Sequence, residues 1–256
     1  MRQLIVTLLA SIPLLSMADN HIEAGGGYLA VEAQLCSLNE GKTMKQYKTV
    51  MNRYFEFADQ HDFKITGFRQ TPLFTNNGPS NPPQYDFIER WVSSYKETGK
   101  GWKKLLDDPE GQKIMADWSE VGTCYGKLSS GYALHLDAEA MSNDDNRIVM
   151  WNWCRRKDGI SWDNISQHHQ KLADDLSGEI PYIAWLLYYP QIGSADAPSE
   201  FAHVFVYPDM DSLMAERDWF NNKEGWRIQD NYYSTYADCQ GDSVMTEEVI
   251  YQPNNN

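Results

Sequence analysis

Alternating and periodic apolar positions predict the same succession of strands and helices twice along this chain. In the first part, four segments have the composition and alternation typical of β-strands: 28–37, 63–71, 85–93 and a segment from 123 onward. In the second part, four comparable segments follow: 147–155, 181–189, 201–207 and 236–251. A helix is predicted after the first and the third strand of each part. Each part is therefore expected to run strand, helix, strand, strand, helix, strand.

The predicted helices are indicated by apolar residues with a period near 3.6 and by capping signals. Thr43 is placed to cap the first helix, and Gln46 completes a capping box. One face of that helix carries its apolar residues, which are Met44, Tyr47, Val50, Met51, Tyr54, Phe55 and Ala58. The other three helices have approximate bounds of 95–118, 161–176 and 209–233. The helix at 95–118 is expected to break near Pro109, because proline disrupts a helix interior.

The two parts also match each other at a fixed offset. Cys36, Gly41 and Pro72 each recur 118 residues later as a residue of the same type. Cys124 recurs 115 residues later as Cys239. A fixed offset of this size predicts two copies of one domain-sized unit rather than a short solenoid repeat.

The ends of the chain and the junction between the copies differ in composition from the copies themselves. The N-terminal segment has a basic start, an apolar run too short to span a membrane and small residues at its end, which is typical of a cleaved secretory signal peptide. A buried N-terminal helix is the alternative interpretation. The predicted organisation is a signal peptide at 1–18, a flexible leader at 19–27, a first repeat at 28–137, an acidic linker at 138–146, a second repeat at 147–251 and a disordered tail at 252–256. A periplasmic or secreted location is therefore expected.

Charge and motif content limit the classes of partner. The formal net charge is −14, which disfavours nucleic acid and anionic membranes as partners, and solubility alone accounts for such a charge. No membrane anchor is predicted. The sequence has no P-loop, no G-x-G-x-x-G motif and no cluster of metal-ligand residues, so neither a cofactor nor a metal is predicted.

Four cysteines in an exported chain predict two disulfides. Four cysteines allow three pairings, and the sequence alone does not choose among them. The duplication favours the pairing of the first with the last cysteine within each copy, which gives Cys36–Cys124 and Cys154–Cys239.

The order strand–helix–strand–strand–helix–strand is the ferredoxin-like pattern, and the sequence predicts it twice. The strand Phe201–Tyr207, the helix start Pro208–Leu213 and the segment Trp219–Asn222 resemble the dimeric α/β-barrel superfamily, which includes NIPSNAP and antibiotic-biosynthesis-monooxygenase-like proteins. The first copy shows the same plan from Trp91 to Glu110. The resemblance implies an α+β fold in which two βαββαβ repeats form a single-chain pseudo-dimeric barrel, with antiparallel sheets face to face and helices outside. It also implies that the first and last strands of each repeat are neighbours, which brings the two favoured cysteine pairs side by side.

Alternation along the strands gives each strand two sets of side chains. One set is aliphatic or small, and the other mixes polar with aromatic residues. We expect the mixed sets to face the barrel interior and to form a pocket for a small, partly apolar molecule. The candidate ligand-binding residues are Gln34, Glu89, Trp91, Asn152, His203 and Phe205. Because Glu89 and His203 occupy equivalent positions in the two copies, we expect these two residues first to form a structural pair, and a ligand-binding role for them is the alternative.

Three functions remain open at this point. The first is an exported small-molecule-binding or accessory protein, with partner proteins unknown. The second is a cofactor-independent or haem-dependent monooxygenase-like enzyme, as the resemblance implies. Haem enzymes of that superfamily use a histidine on a helix facing the pocket, and the helices at 95–118 and 209–233 contain none, which disfavours haem. The third is a purely structural exported protein.

Overall fold

A computed structural model describes residues 26–77, 83–143, 145–176 and 178–253. The predicted signal peptide and most of the predicted leader and tail lie outside the described residues. Eight strands are present among these residues: β1 (Leu29–Leu38), β2 (Thr66–Phe74), β3 (Phe87–Ser93), β4 (Gly122–Leu136), β5 (Asn146–Arg156), β6 (Ala184–Pro190), β7 (Phe201–Tyr207) and β8 (Ala237–Tyr251).

Seven helices lie between these strands in the described part of the chain: α1 (Met44–Gln60), α2 (Tyr95–Asp107), α3 (Pro109–Val121), α4 (Ala138–Asn143), α5 (Trp162–Leu176), α6 (Met210–Asn222) and α7 (Gly225–Thr235). Local chemistry explains several boundaries. Thr43 and Gln46 form the capping box that starts α1. Asp108 caps α3, whose first residue is Pro109, and this ends the preceding helix. The predicted helix at 209–233 is likewise divided, into α6 and α7.

The eight strands close into one antiparallel barrel, in the order β1-β3-β2-β8-β5-β7-β6-β4. Each half of the chain contributes four adjacent strands. The halves join where β2 pairs with β8 and where β4 pairs with β6. All edges of the barrel are therefore paired, which removes the exposed strand edges on which sheets associate.

The side chains inside the barrel are mainly aliphatic and aromatic. Val31, Ile88, Trp151, Ala202 and Met245 belong to one buried cluster drawn from strands all around the barrel. The opposite face of each sheet is covered by helices, and separate apolar clusters lie beneath them. The mixed polar and aromatic sets therefore face the helices and not the barrel interior, so the predicted interior location is wrong.

Two disulfides link the first strand of each half to its last strand. Cys36 is bonded to Cys124 across β1 and β4, and Cys154 to Cys239 across β5 and β8. These are the pairs that the predicted duplication favoured, and such bonds are typical of an oxidising compartment.

The predicted linker 138–146 contains the short helix α4 rather than coil alone. Ala140 and Met141 of α4 pack against the interior cluster and cover one end of the barrel. Among the described residues, none of the helices combines the length and the apolar character needed to cross a membrane.

Candidate functional site

The six predicted ligand residues lie in two clefts, one in each half, between the sheet and its helices. Gln34, Glu89 and Trp91 line the first cleft. The residues at the equivalent positions of the second half, Asn152, His203 and Phe205, line the second cleft. The strand alternation grouped these side chains on shared strand faces, but the expectation that those faces form one common interior is wrong.

The expected pair between Glu89 and His203 does not form. β3 and β7 lie on opposite sides of the barrel, and both side chains point outward under different helices. Glu89 is bound by Arg69, whose Nη2 and Nε donate to Glu89 Oε1 over 2.6 and 3.1 Å. Both side chains are buried, so the charge of Glu89 is neutralised by a partner on the neighbouring strand.

The second carboxyl group of the first cleft, Glu32, has a different environment. Trp102 of α2 donates its indole N–H to Glu32 Oε2 over 2.7 Å, and Gln34 donates its amide N–H to Glu32 Oε1. Both of these partners are neutral side chains. Burial raises the pKa of Glu32, and the two hydrogen bonds only partly oppose that effect. Glu32 is thus a carboxyl group held in an apolar cleft without the guanidinium that Glu89 has.

Aromatic and aliphatic side chains form most of the remaining wall of the first cleft, which has a volume of about 90 Å³. Tyr54 of α1 packs edge-on against Trp91, with ring centroids 5.3 Å apart. Trp102 and Trp118 contribute from α2 and α3. The cleft therefore combines a largely apolar wall with the Glu32 carboxyl group, a combination typical of ligand sites.

The second cleft has a volume of about 80 Å³ and contains a hydrogen-bonded chain of buried side chains. Trp185 Nε1 donates to His203 Nδ1 over 3.1 Å. Because an indole nitrogen is only a donor, Nδ1 of His203 must be the acceptor, and the proton of the neutral ring lies on Nε2. His203 Nε2 then donates to the Tyr232 hydroxyl group over 2.9 Å, and Tyr232 donates to His169 Nε2 over 2.8 Å.

These imidazoles are neutral at physiological pH. Burial lowers the pKa of His203 to about 3, and burial together with His203 lowers the pKa of His169 well below its ordinary value. His169 Nδ1 has no hydrogen-bond partner among the described residues. Other polar residues of this cleft are paired: Asn152 donates to the hydroxyl group of Tyr233, and Arg217 bridges Glu216 and Asp242. The second cleft is therefore largely satisfied by its own contacts.

The clefts do not fit a haem group. Nε2 of both buried histidines is engaged by Tyr232, and volumes of about 80 and 90 Å³ are below the ~150 Å³ of an engineered cavity that binds benzene. The described residues also contain no group of three or more His, Cys, Asp or Glu placed to hold a metal ion.

Three residues that define the clefts were absent from the predicted set. Glu32 lies two residues before Gln34 on the same face of β1, so strand alternation could have identified it. Trp102 is 70 residues from Glu32, and no local pattern links them. His169 of α5 is buried and reaches the second cleft through its hydrogen bond with Tyr232.

Fold comparison places this chain with α+β barrels built from ferredoxin-like units. A proposed monooxygenase from Lactobacillus acidophilus matches with a TM-score of 0.51 and 8% identity, over 86% of this chain and 93% of that chain. An anthrone oxidase-like protein matches with a TM-score of 0.51 and 9% identity, over 90% and 94%. A proposed monooxygenase from Fusobacterium nucleatum matches with a TM-score of 0.50 and 11% identity, over 90% and 94%.

At these identities the likeness shows the fold alone, and it agrees with the dimeric α/β-barrel superfamily. No family model matches the sequence. No curated protein matches it either.

Proposed function

We propose that this chain is a small-molecule-binding protein whose first cleft receives the polar end of a small, partly apolar molecule. The observation that carries the proposal is Glu32, a carboxyl group in an apolar cleft whose hydrogen-bond partners are neutral. A hydroxyl or N–H group of a ligand adds a further donor to a buried carboxylate that has no cationic partner. Because the cleft volume is only about 90 Å³, a molecule of benzene size or larger enters with one end.

Comparison within the same cleft supports the choice of Glu32 over Glu89. Arg69 already neutralises Glu89, so a ligand gains little by approaching it. Comparison between the halves supports the choice of the first cleft. In the second half, His203, Asn152 and Glu216 all have protein partners.

Binding of p-cresol tests this proposal, because its phenol donates a hydrogen bond and its ring matches an aromatic wall. We expect isothermal titration calorimetry at pH 7 to give a dissociation constant at least about tenfold weaker for Glu32→Gln, since a lost charge-assisted hydrogen bond is worth more than about 1.4 kcal/mol. Glu56→Gln, at an exposed position of α1, is the matched control and should bind as the wild type does. Equal affinity of the wild type and Glu32→Gln would overturn the assignment of Glu32.

The pH dependence gives a second readout of the same site. Ionised Glu32 accepts the phenol hydrogen bond better than the neutral acid does, so binding should weaken as pH falls through the pKa of Glu32. Since burial raises that pKa above 4.5, the weakening should begin at a higher pH than an exposed glutamate would give.

A monooxygenase-like enzyme is the second candidate, and the raised pKa of Glu32 favours it. A carboxylate with a pKa shifted toward neutrality is a better general base than an ordinary glutamate. In such a reaction Glu32 takes a proton from an acidic O–H or C–H group of the substrate, and dioxygen serves as the oxidant. The clefts do not fit haem, so this candidate is the cofactor-independent form. Oxygen consumption with 1,8-dihydroxyanthrone, present in the wild type and lost in Glu32→Gln, is its test.

We further propose that the protein is exported after cleavage of residues 1–18 and that its two halves arose by duplication of one unit. The two disulfides support export, and the mass of the mature protein, expected to begin at Asp19, tests it. The shared element order and the equivalent cleft residues support the duplication. The finer assignment to NIPSNAP-like proteins rests on the sequence resemblance alone.

A further inference from the structure

The mouth of the barrel is a third cavity, separate from both clefts beneath the helices. It has a volume of about 230 Å³ and lies on the inner face of the sheet, between strands of both halves. The opposite end of the barrel is covered by α4, whose Met141 packs on the interior cluster. The interior is therefore covered at one end by α4, and the cavity lies toward the other end, where β1 and β5 finish at Leu38 and Arg156.

Aromatic rings form the wall of this mouth. Trp151 and Trp153 point inward from β5 with ring centroids 6.2 Å apart and an angle of 20° between the planes. Tyr188 stands edge-on to Trp151, with centroids 5.3 Å apart. Small and aliphatic side chains complete the wall, including Ala33 and Leu35 of β1. A planar ring is the shape that such aromatic surfaces pack against best.

The polar groups of the mouth are already neutralised. At the floor, Arg90 donates to the Tyr188 hydroxyl group over 2.5 Å and to Glu247 over 2.6 Å. At the rim, Lys127 pairs with Asp196 over 2.5 Å. The remaining polar lining includes the hydroxyl groups of Ser129 and Ser243. A charged ligand would be desolvated there without gaining a free counter-charge, so an uncharged ligand is favoured.

Part of the wall is a loop between β6 and β7, residues 191–200, which we term the cover loop. Its backbone is fixed to β4 by hydrogen bonds of 2.9 Å between Gln191 and Leu128 and between Leu128 and Ile192. Gln240 donates to the carbonyl oxygen of Pro198 over 2.6 Å. The loop contributes Ala197 and Pro198 to the cavity, so it shields the rings from solvent on one side.

From this geometry we propose that the barrel mouth binds an uncharged, planar aromatic molecule of one or two fused rings against Trp151, Trp153 and Tyr188. A volume of about 230 Å³ exceeds the ~150 Å³ that holds benzene and is below the ~300 Å³ at which drug-sized ligands begin. The hydroxyl groups of Ser129 and Ser243 are available to one polar substituent on the ring. This site is independent of the Glu32 cleft.

Two variants separate the barrel mouth from the first cleft. Ala33→Trp adds an indole to the wall of the mouth and leaves the outer face of β1 unchanged. Gly101→Leu adds a side chain to the first cleft, and its Cβ would meet only Phe63, at an ordinary contact distance of 3.7 Å. The probe is 2-naphthol, with its saturated counterpart 2-decalol as the matched ligand without aromatic faces.

Isothermal titration calorimetry on the full-length, disulfide-bonded protein should show 2-naphthol binding to the wild type and to Gly101→Leu with the same affinity within about twofold. Ala33→Trp should weaken it at least about tenfold, and 2-decalol should bind at least about fivefold more weakly than 2-naphthol, since stacking adds to burial. If Ala33→Trp does not fold cooperatively, Trp153→Ala replaces it and should weaken binding by a similar factor.

Three outcomes would overturn the proposal. The first is no binding of 2-naphthol to the wild type. The second is loss of binding in Gly101→Leu with retention in Ala33→Trp, which would place the ring in the first cleft and leave the proposed function intact. The third is equal affinity for 2-decalol, which would show that the mouth selects apolar volume rather than an aromatic ring.

Discussion

Glu32 on β1 and Trp102 on α2 are joined by a hydrogen bond of 2.7 Å across the first cleft. The bond ties α2 to the sheet, and both residues line the first cleft. It also fixes the Glu32 carboxylate in an environment that favours its neutral form, because burial raises its pKa. Retention of a carboxyl group in such a place costs stability, which is typical of functional positions.

Glu32→Gln should therefore stabilise the fold at pH 7. Between 4.5 and the raised pKa, the folded state binds more protons than the unfolded state, so stability falls as pH rises through that window. Glutamine avoids this loss, still accepts from Trp102, and can be matched by rotation of the Gln34 amide group. Thermal unfolding should show a higher Tm at pH 7 and a smaller gain at pH 4. Glu56→Gln should show no gain at either pH.

Glu89→Gln should have the opposite effect although burial raises the pKa of Glu89 as well, because the change also removes a charged partner from the buried Arg69. It leaves the buried Arg69 with Glu248, 2.8 Å from its Nη1 and partly exposed, as the carboxylate that still pairs with it. Loss of one member of a buried ion pair costs up to about 3–5 kcal/mol. Lys103→Ala, which breaks the exposed Lys103–Asp107 pair, should change the free energy of unfolding by less than about 1 kcal/mol. Urea unfolding of the three proteins measures both values. A cost for Glu89→Gln no larger than that of the surface variant would show that the Arg69 pair contributes little.

Much of the fold was accessible from the sequence because its signals are local. Strand alternation, the capping box at Thr43 and the break at Pro109 each act over a few residues, and the structure has elements at all of these places. The sequence did not show which face of each strand lies inside the barrel. In this barrel both faces of each strand are covered, so apolar side chains occur on both, and alternation does not indicate which set lies inside.

Burial of charge inside the barrel explains part of that error. Arg90 and Glu247 are buried in the interior and paired with each other although 157 residues separate them. A rule that assigns the aliphatic set to the helices and the polar set to the interior fails when the interior charges come from distant strands. The hydrogen bond between Glu32 and Trp102 could not be predicted from the sequence for a similar reason, because 70 positions separate the two residues.

His203 should make the protein sensitive to acid. Its pKa is about 3 in the folded state and near 6.5 in the unfolded chain, so between these values the unfolded state binds more protons. Stability should then fall as pH is lowered from about 6.5, by up to about 1.4 kcal/mol per pH unit from this group. Glutamine can accept from Trp185 and donate to Tyr232 as the neutral ring does, but it does not titrate. The free energy of unfolding of His203→Gln, measured by urea from pH 7 to pH 4.5, should depend less on pH than that of the wild type. Parallel curves would contradict the assignment.

The two disulfides should be complete in the folded protein. Intact mass should show no alkylation under denaturing, non-reducing conditions, and peptide mapping should join Cys36 to Cys124. Replacement of Cys154 and Cys239 by serine should lower the free energy of unfolding by about 2–5 kcal/mol, because an 85-residue separation is no longer closed in the unfolded chain. A peptide joining Cys36 to Cys154 would contradict the pairing within each half.

Neither half of the barrel should exist as a folded monomer. Residues 28–137 expressed alone would leave β2 without β8 and β4 without β6, so two strand edges would be exposed. The inner faces of β1 and β3, with Val31, Ile88 and Val92, would also meet water, at about 25 cal/mol per Å² of apolar surface. Size-exclusion chromatography with light scattering should therefore give a dimer or aggregate. A dimer would close the barrel again, because two identical halves can pair both strand edges and cover both inner faces. A cooperatively folding monomer of this segment would show that the pairing between the halves is not what holds each sheet together.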